Sequence, residues 1–152
     1  MIVLKKNKLA IYSPNIGAPS ETFIKRHICD INPGRTVAIT NNVLDAANRT
    51  WTVDCPVYQV NDALVYMRRL PRFVRKRLPD NRAIQKDVSG IKTFLKKHDV
   101  SVLLGQYLND SWPFVWLAQK CGVRFYAHAH GYDLSMDFSK ELWRKRYVDY
   151  AQ

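Results

Sequence analysis

Two histidines, a glycine and an aspartate lie within six residues of one another near the end of the chain, at His128, His130, Gly131 and Asp133. Imidazoles and carboxylates are the side chains with which proteins move protons, ligate metals and hold polar ligands. Glycine and aspartate are also frequent in turns, because both suit the backbone conformations that turns need. The segment alone therefore leaves two interpretations open, a ligand site and a structural turn.

Two kinds of reaction centre can be drawn from these residues. His128 and His130 would share one face of an extended strand and could join Asp133 around a metal. Zinc sites typically take three or four protein ligands, and because the sequence offers no further ligand we expect no metal. A hydrolase triad of Ser20, His130 and Asp133 can be assembled on paper, but the chain lacks the G-x-S-x-G turn that exposes such a serine.

The elements that must position this segment alternate between strands and helices. Short apolar runs predict strands at residues 8–13, 36–40, 57–60, 100–105 and 123–127. Apolar residues at helical spacing predict helices at residues 21–31, 62–78, 81–98 and 111–120, with a last helix from Ser139. Such alternation over short connections is typical of a Rossmann-like, doubly wound parallel sheet, which is the α/β fold we expect.

The first strand should lead into its helix through a loop at residues 14–19, which is rich in proline, asparagine and glycine. Ser20 is a good N-cap, and Glu21 would lie in the first turn, where the helix dipole favours a carboxylate. Helical spacing predicts that one face of this helix is buried, with the core residues Phe23, Ile24, Ile28 and Ile31.

A second loop is predicted at residues 106–110, with Asp110 or Ser111 capping the helix that follows and Gly122 ending it. Gly90 interrupts the clearest amphipathic helix at a cost of about 1 kcal/mol relative to alanine, which indicates a close packing contact there. In the last helix, Glu141 and Lys145 are spaced for an i, i+4 ion pair.

The formal net charge of +11 indicates an anionic partner. Basic residues are densest in the segment 68–82, where aromatic and aliphatic side chains alternate with them and Pro71 must kink or split the predicted helix. Basic amphipathic segments of this kind bind membrane surfaces or polyanions. The predicted anion-contacting side chains are Arg68, Arg69, Arg72, Arg75, Lys76 and Arg77.

Several functional classes have little support. The first strand–loop–helix unit contains a single glycine, Gly17, so it lacks the G-x-G-x-x-G dinucleotide fingerprint. The three cysteines of the chain form no C-x-x-C pair, which favours free thiols in a reducing compartment. No apolar run is long enough to span a bilayer, and the first residues lack the apolar region of a signal peptide. The default expectation is a cytoplasmic protein.

Three segments together resemble a known family. They are Pro19-Ser-Glu-Thr-Phe-Ile24, Leu104-Gly-Gln-Tyr107, and residues 122–135 with their His-Gly-Tyr-Asp turn. Their order and spacing are similar to the N-terminal domain of GT-B glycosyltransferases of family 4, especially bacterial polysaccharide transferases related to those of colanic acid. The resemblance runs over most of the chain, although residues 48–81 carry little of it.

The resemblance implies one half of a GT-B architecture, with residues 1–152 as the acceptor-side domain. His130 would contact the transferred sugar and act in catalysis, while the first loop would lie near the acceptor and the donor phosphates. The substrate-binding residues would be Gly17, Ser20, Glu21, Thr22, Gln106, Tyr107, Gly131 and Asp133. A nucleotide-sugar would serve as co-substrate, and the resemblance implies neither a cofactor nor a metal.

The family's nucleotide-sugar domain, with its Glu-x7-Glu pattern, is absent from this sequence, so we expect the 152 residues alone to be inactive. The expected reaction is retaining transfer of a hexose to a saccharide or lipid-linked acceptor in cell-surface polysaccharide synthesis. The basic segment would hold the protein at the inner face of the membrane. The alternative is a non-catalytic basic domain that binds an anionic membrane or, less in keeping with the motifs, nucleic acid.

Overall fold

The computed structural model describes residues 8–60 and 82–151. Five strands make one sheet in the order β3-β2-β1-β4-β5, and every neighbouring pair is parallel. The strands are β1 Lys8–Ile16, β2 Thr36–Val43, β3 Val57–Gln59, β4 Val100–Gln106 and β5 Arg124–His128. The predicted Rossmann-like α/β fold is confirmed.

Four α-helices lie among the described residues: α1 Thr22–Asp30, α2 Arg82–Lys97, α3 Leu108–Cys121 and α4 Glu141–Tyr147. Shorter helical turns occur at Pro19–Glu21, Asp133–Asp137 and Val148–Ala151, the second of them π-helical. No helix in the described parts of the chain is long and apolar enough to cross a membrane. The helix predicted at residues 62–78 lies outside the described residues.

Both faces of the sheet are covered, as the alternation along β1 shows. Leu9 and Ile11 belong to a core cluster with Ile24 and Ile28 of α1. Ala10 and Tyr12 point to the opposite face and join a cluster built mainly from α2 and α3, with the buried residues Ile91, Leu95, Phe114, Leu117 and Ala118. Burial on both faces explains why the central strands read as continuous apolar runs.

Gly90 of α2 makes the close contact that its position predicts. A Cβ built on this glycine would lie 2.0 Å from the hydroxyl oxygen of Tyr58, which packs against the helix from β3. Only a residue without a side chain fits between them. The amphipathic pattern of α2 is confirmed as well, because Ile91 and Leu95 are buried in the core.

Three expectations for the first connection are wrong. Residues 14–16, predicted as loop, continue β1, since Asn15 and Ile16 pair with the last residues of β2. Ser20 does not cap α1: it lies exposed in the turn Pro19–Glu21, and Glu21 occupies the N-cap position without a side-chain capping bond. Ile31 follows the end of α1 and is 54% exposed instead of buried.

The predicted loop at residues 106–110 is also wrong, because Gln106 ends β4 and Leu108 already begins α3. Ser111 is therefore buried inside the helix, where its hydroxyl donates to the carbonyl of Tyr107 over 2.6 Å. Gly122 does end α3, in the left-handed conformation with φ of 70°. The expected C-cap is confirmed.

The last helix begins at Glu141, after an N-cap at Lys140, two residues later than the predicted start at Ser139. Its Glu141–Lys145 ion pair is present at 2.5 Å. The helix packs on α3 partly through Arg146, whose buried guanidinium lies 4.7 Å from the centre of the Trp112 ring.

Candidate functional site

The candidate site lies where β1, β4 and β5 end at the same edge of the sheet. From β1 the chain adds β2 and β3 on one side of the sheet and then β4 and β5 on the other side. The gap between β1 and β4 at this edge is therefore a topological switch point. Ligands of open α/β sheets bind in the crevice outside the carboxyl ends of the strands at such a point. The register pairs Gln106 at the end of β4 with His128 at the end of β5, which brings the two predicted segments side by side.

Gln106 is the centre of the site and has no exposed surface. Its Nε2 donates to Nδ1 of His27 over 3.0 Å, while its Oε1 accepts from Nδ1 of His128 at 3.0 Å and from Nε2 of His130 at 3.2 Å. In this orientation of the amide, neutral His27 carries its proton on Nε2, and neutral His130 also on Nε2. Gln106 therefore orients three imidazoles and sets which nitrogen of each one donates.

Tyr107 forms the junction between β4 and α3. Its φ of 63° is rare for a residue with a side chain, and with ψ of 122° it turns the strand directly into the helix. Its N–H donates to the carbonyl of His128 over 3.1 Å, and its hydroxyl donates to Oε1 of Glu21 over 3.0 Å. The residue thus links the ends of β4, β5 and α1.

Asp133 fixes the His-Gly turn to the start of α3. The side chain is fully buried, and its Oδ2 accepts from the N–H of His130 at 2.8 Å and from the N–H of Leu108 at 3.0 Å. Leu108 is the first residue of α3, where the helix dipole favours a negative charge. Asp133 is therefore a positioning residue for the turn that carries His130.

Two carboxylate oxygens at the site have unused capacity to accept hydrogen bonds. Oδ1 of Asp133 and Oε2 of Glu21 are buried and accept no hydrogen bond from any described residue. A buried acceptor without a donor costs on the order of 1–3 kcal/mol. Each carboxylate therefore keeps an unused hydrogen-bond acceptor, and the half-buried Glu21 is the more accessible of the two residues.

The electrostatics favour neutral imidazoles. Burial lowers the pKa of His130, and the neighbouring His128 lowers it further, although Asp133 acts in the opposite direction. Burial, followed by His128, also lowers the pKa of His27. Burial raises the pKa of Glu21, partly offset by the Tyr107 hydroxyl, and raises the pKa of Tyr107 far above its ordinary range.

Aromatic rings enclose His130. Its ring centre lies 4.1 Å from that of Tyr107 and 4.8 Å from that of Phe23, and the His128 ring follows at 4.4 Å. Phe23, predicted as a core residue, is partly buried: it packs against the core cluster of α1 and also faces His130. The site therefore combines flat ring faces with hydrogen-bonding groups.

His27 was not singled out by the sequence, yet it completes the cluster from α1. It follows Phe23 by four residues, so the two share one face of the helix, and their ring centres lie 6.0 Å apart. That spacing was the only local signal for its role. Its approach to Gln106 depends on how α1 packs across the ends of β1 and β4, which no local pattern records.

The other predicted contacts of the first loop lie elsewhere. Gly17 is buried with φ of 104°, and a Cβ there would lie 2.7 Å from Cγ of Arg49. Its carbonyl accepts from the N–H of Thr50 over 2.9 Å. Ser20 and Thr22 are exposed, and none of the hydrogen bonds found among the described residues joins their side chains to the cluster. Gly131, in the His-Gly turn, is exposed as well, and its carbonyl accepts from the hydroxyl of Ser135 over 2.8 Å.

The two reaction centres considered from the sequence can now be compared with the geometry. Among the described residues, no group of three or more histidine, cysteine, aspartate or glutamate side chains is arranged to hold a metal ion. The triad is wrong, because Oδ2 of Asp133 accepts from the backbone N–H groups of His130 and Leu108, and Ser20 is exposed on its turn. The six basic side chains of the segment 68–77 lie outside the described residues.

The fold and site together define a Rossmann-like α/β domain with a preorganised polar cluster at its switch point. Comparison of the chain with protein-family models, with curated proteins and with solved structures gives no match.

Proposed function

We propose that the chain is the acceptor-side domain of a GT-B glycosyltransferase, which transfers a sugar from a nucleotide-sugar to a saccharide or lipid-linked acceptor in cell-surface polysaccharide synthesis. The observation that supports it most is the His130 cluster, which lies at the carboxyl edge of a parallel sheet beside the switch point. Three sequence segments of the family resemblance, around Glu21, Gln106 and His130, also meet there.

The chemistry of the cluster suits a sugar. Sugar hydroxyls donate and accept hydrogen bonds, while the C–H faces of a sugar ring pack on flat apolar surfaces. The cluster offers both, with acceptors at Glu21 and the imidazoles and with ring faces at Phe23 and Tyr107. A small number of fixed polar groups among aromatic walls is the usual composition of a small-molecule site.

The protonation state of His130 suits its proposed role. Positive charge develops on a transferred sugar as its bond to the nucleotide breaks, and a neutral imidazole hydrogen-bonded nearby accommodates that charge better than an imidazolium does. Burial and His128 lower the pKa of His130, which keeps the ring neutral near pH 7. In this proposal Gln106 and Asp133 hold His130 in place, and His130 contacts the substrate.

The test is glycosyl transfer by the complete product of the gene, because the resemblance assigns the nucleotide-sugar to a further domain. A panel of nucleotide-sugars is assayed with wild-type enzyme and with His130→Ala. We expect kcat/KM to fall by about a hundredfold or more, the range for losing one group that stabilises transition-state charge. His98→Ala is the matched control, since His98 follows α2 at the opposite edge of the sheet. Unchanged turnover in His130→Ala would refute the assignment.

A second candidate function rests on the net charge of +11. A basic domain without catalytic activity would bind an anionic membrane or nucleic acid, and such binding weakens steeply with salt. Anionic liposomes and oligonucleotides, each titrated across a salt series, distinguish the two partners. We expect liposome binding that depends on Arg68, Arg72 and Arg75, in keeping with a transferase at the inner membrane face. Oligonucleotide binding without liposome binding would favour the second function.

A further inference from the structure

A cavity opens at the amino edge of the sheet, opposite the candidate site. It has a volume of about 360 Å³, within the usual range for small-molecule pockets. Lys8 and Val100, which pair at the start of β1 and β4, lie in its wall, and Arg35 enters from the residue before β2. Helix α2 closes one side with Lys92 and Lys96.

The lining of this cavity is strongly cationic. Four basic side chains, Lys8, Arg35, Lys92 and Lys96, face a single carboxylate, Asp99. No ion pair joins any of the three lysines to another residue in the described ranges. Lys92 and Lys96 are also spaced i, i+4 on α2, where like charges repel each other by a few tenths of a kcal/mol. The three lysines therefore bring positive charge to the cavity that no ion pair within the described residues neutralises.

A buried hydroxyl points to a ligand independently of that charge. Ser101 is one of the lining residues, and its Oγ, buried just behind the cavity surface, makes no hydrogen bond within the described residues. Buried hydroxyls elsewhere in the sheet are satisfied: Thr36 donates to the carbonyl of Asn32 over 2.9 Å. An unpaired buried hydroxyl is unusual in a folded protein and indicates a missing partner.

The rest of the lining is apolar. Val100, Val123 and the half-buried thiol of Cys121 lie beside the basic residues, with Leu95 of α2. A bare inorganic anion would leave this surface unused. A ligand with an anionic group and an apolar or aromatic part would contact both halves of the lining.

We propose that this cavity binds a phosphorylated small molecule, with the phosphate held by Arg35, Lys92, Lys96 and the Ser101 hydroxyl, and the apolar part against Val100 and Val123. Phosphate offers several acceptor oxygens and at least one full negative charge, which matches the excess of donors. The site is separate from the His130 cluster and does not depend on the glycosyltransferase proposal, because the two lie at opposite edges of the sheet.

The experiment is calorimetric titration of the 152-residue chain with pyrophosphate at about 0.15 M salt, where long-range electrostatics are screened beyond roughly 8 Å. We expect saturable binding that weakens at least tenfold in the double variant Lys92→Gln, Lys96→Gln. The matched control is Lys86→Gln, Lys97→Gln, which removes the same charge from exposed positions on α2 outside the cavity. Equal loss in the two double variants, or no binding by wild type, would overturn the proposal.

Ser101→Ala provides a second readout that a general charge effect would not move. It removes the unpaired hydroxyl and leaves every charge in place, so weaker pyrophosphate binding supports the site and unchanged binding contradicts the assigned contact.

Vesicles of phosphatidylglycerol distinguish the source of the phosphate. Vesicle binding that is lost in the Lys92, Lys96 variant supports a lipid headgroup, and its absence beside pyrophosphate binding supports a soluble phosphate ester.

Discussion

The two edges of this sheet use their polar side chains in opposite ways. At the carboxyl edge, Gln106 and Asp133 are fully buried, and their hydrogen bonds hold three imidazoles and one turn in place. At the amino edge, Lys8, Lys92 and Lys96 line a cavity and form no ion pair within the described residues. The first arrangement stabilises the folded chain before any ligand arrives, whereas the second leaves like charges together that a bound anion would neutralise.

This difference has an energetic consequence. Groups that bond to each other contribute to folding, so their removal should destabilise the protein and disturb the site together. Groups that repel each other detract from folding, so their removal should leave stability intact or improve it while ligand binding is lost. Stability and binding therefore change in the same direction at one edge and in opposite directions at the other.

The largest expected effect is at Asp133. Asp133→Ala removes two hydrogen bonds to a buried charged acceptor, each worth about 1.5–3 kcal/mol, from the N–H groups of His130 and Leu108. We expect the free energy of unfolding to fall by roughly 3–6 kcal/mol in urea titration. The control Asp30→Ala removes an exposed carboxylate at the end of α1 and should change stability by no more than about 0.5 kcal/mol. Similar small losses in both variants would contradict the positioning role of Asp133.

The pH dependence of stability gives an effect of intermediate size. The folded-state pKa values of His27 and His130 lie below the ordinary 6.5, so the unfolded chain binds more protons than the folded chain below that pH. The contribution of these two neutral imidazoles to stability should therefore be present above pH 6.5. It should be lost as the pH falls through 6.5 towards the lower pKa values that the two histidines have in the folded chain.

Thermal unfolding at about pH 7.5 and about pH 5.5 measures this decrease. His27→Gln and His130→Gln together should flatten the profile, since glutamine does not titrate. His98, whose pKa burial also lowers, stays in place in both proteins and cancels in the comparison. A double variant with the same loss of Tm on acidification as wild type would show that these imidazoles are not the cause.

The smallest expected change is an increase in stability at the amino edge. Lys92→Glu replaces a repulsive i, i+4 pair with a favourable one, because glutamate then precedes Lys96 by four residues. We expect stability to rise by about 0.3–0.5 kcal/mol while pyrophosphate binding is lost. A stability decrease of 1 kcal/mol or more would mean that Lys92 makes a structural contribution and that the contrast between the edges does not hold.

Most of the fold follows from local patterns in the sequence. Apolar runs locate all five strands, and helical spacing locates α2, because both signals arise from burial of one or two faces. Gly90 could be predicted to make a close contact because its cost within a helix needs a reason. The residues at which strands and helices begin and end were less predictable. Pro14 and Gly17 suggested a loop where the pairing of β1 with β2 extends the strand through Ile16.

The candidate site was only partly predictable, for a related reason. The segment containing His128, His130 and Asp133 is visible because its chemical residues are adjacent in sequence. The partnership of Gln106 with His27 spans 79 positions and depends on how β4 and α1 pack. The positive φ of Tyr107 was equally hidden, since no glycine or asparagine marks it.

The junction at Tyr107 also bears on how the chain tolerates changes in length. Loops usually accept insertions and deletions, but here a single residue separates the end of β4 from the start of α3. One inserted residue in the first turn of α3 would rotate the rest of the helix by about 100° and shift it by about 1.5 Å. Related sequences should therefore keep a constant spacing between the Gln106 and Ser111 positions, even where neighbouring connections vary.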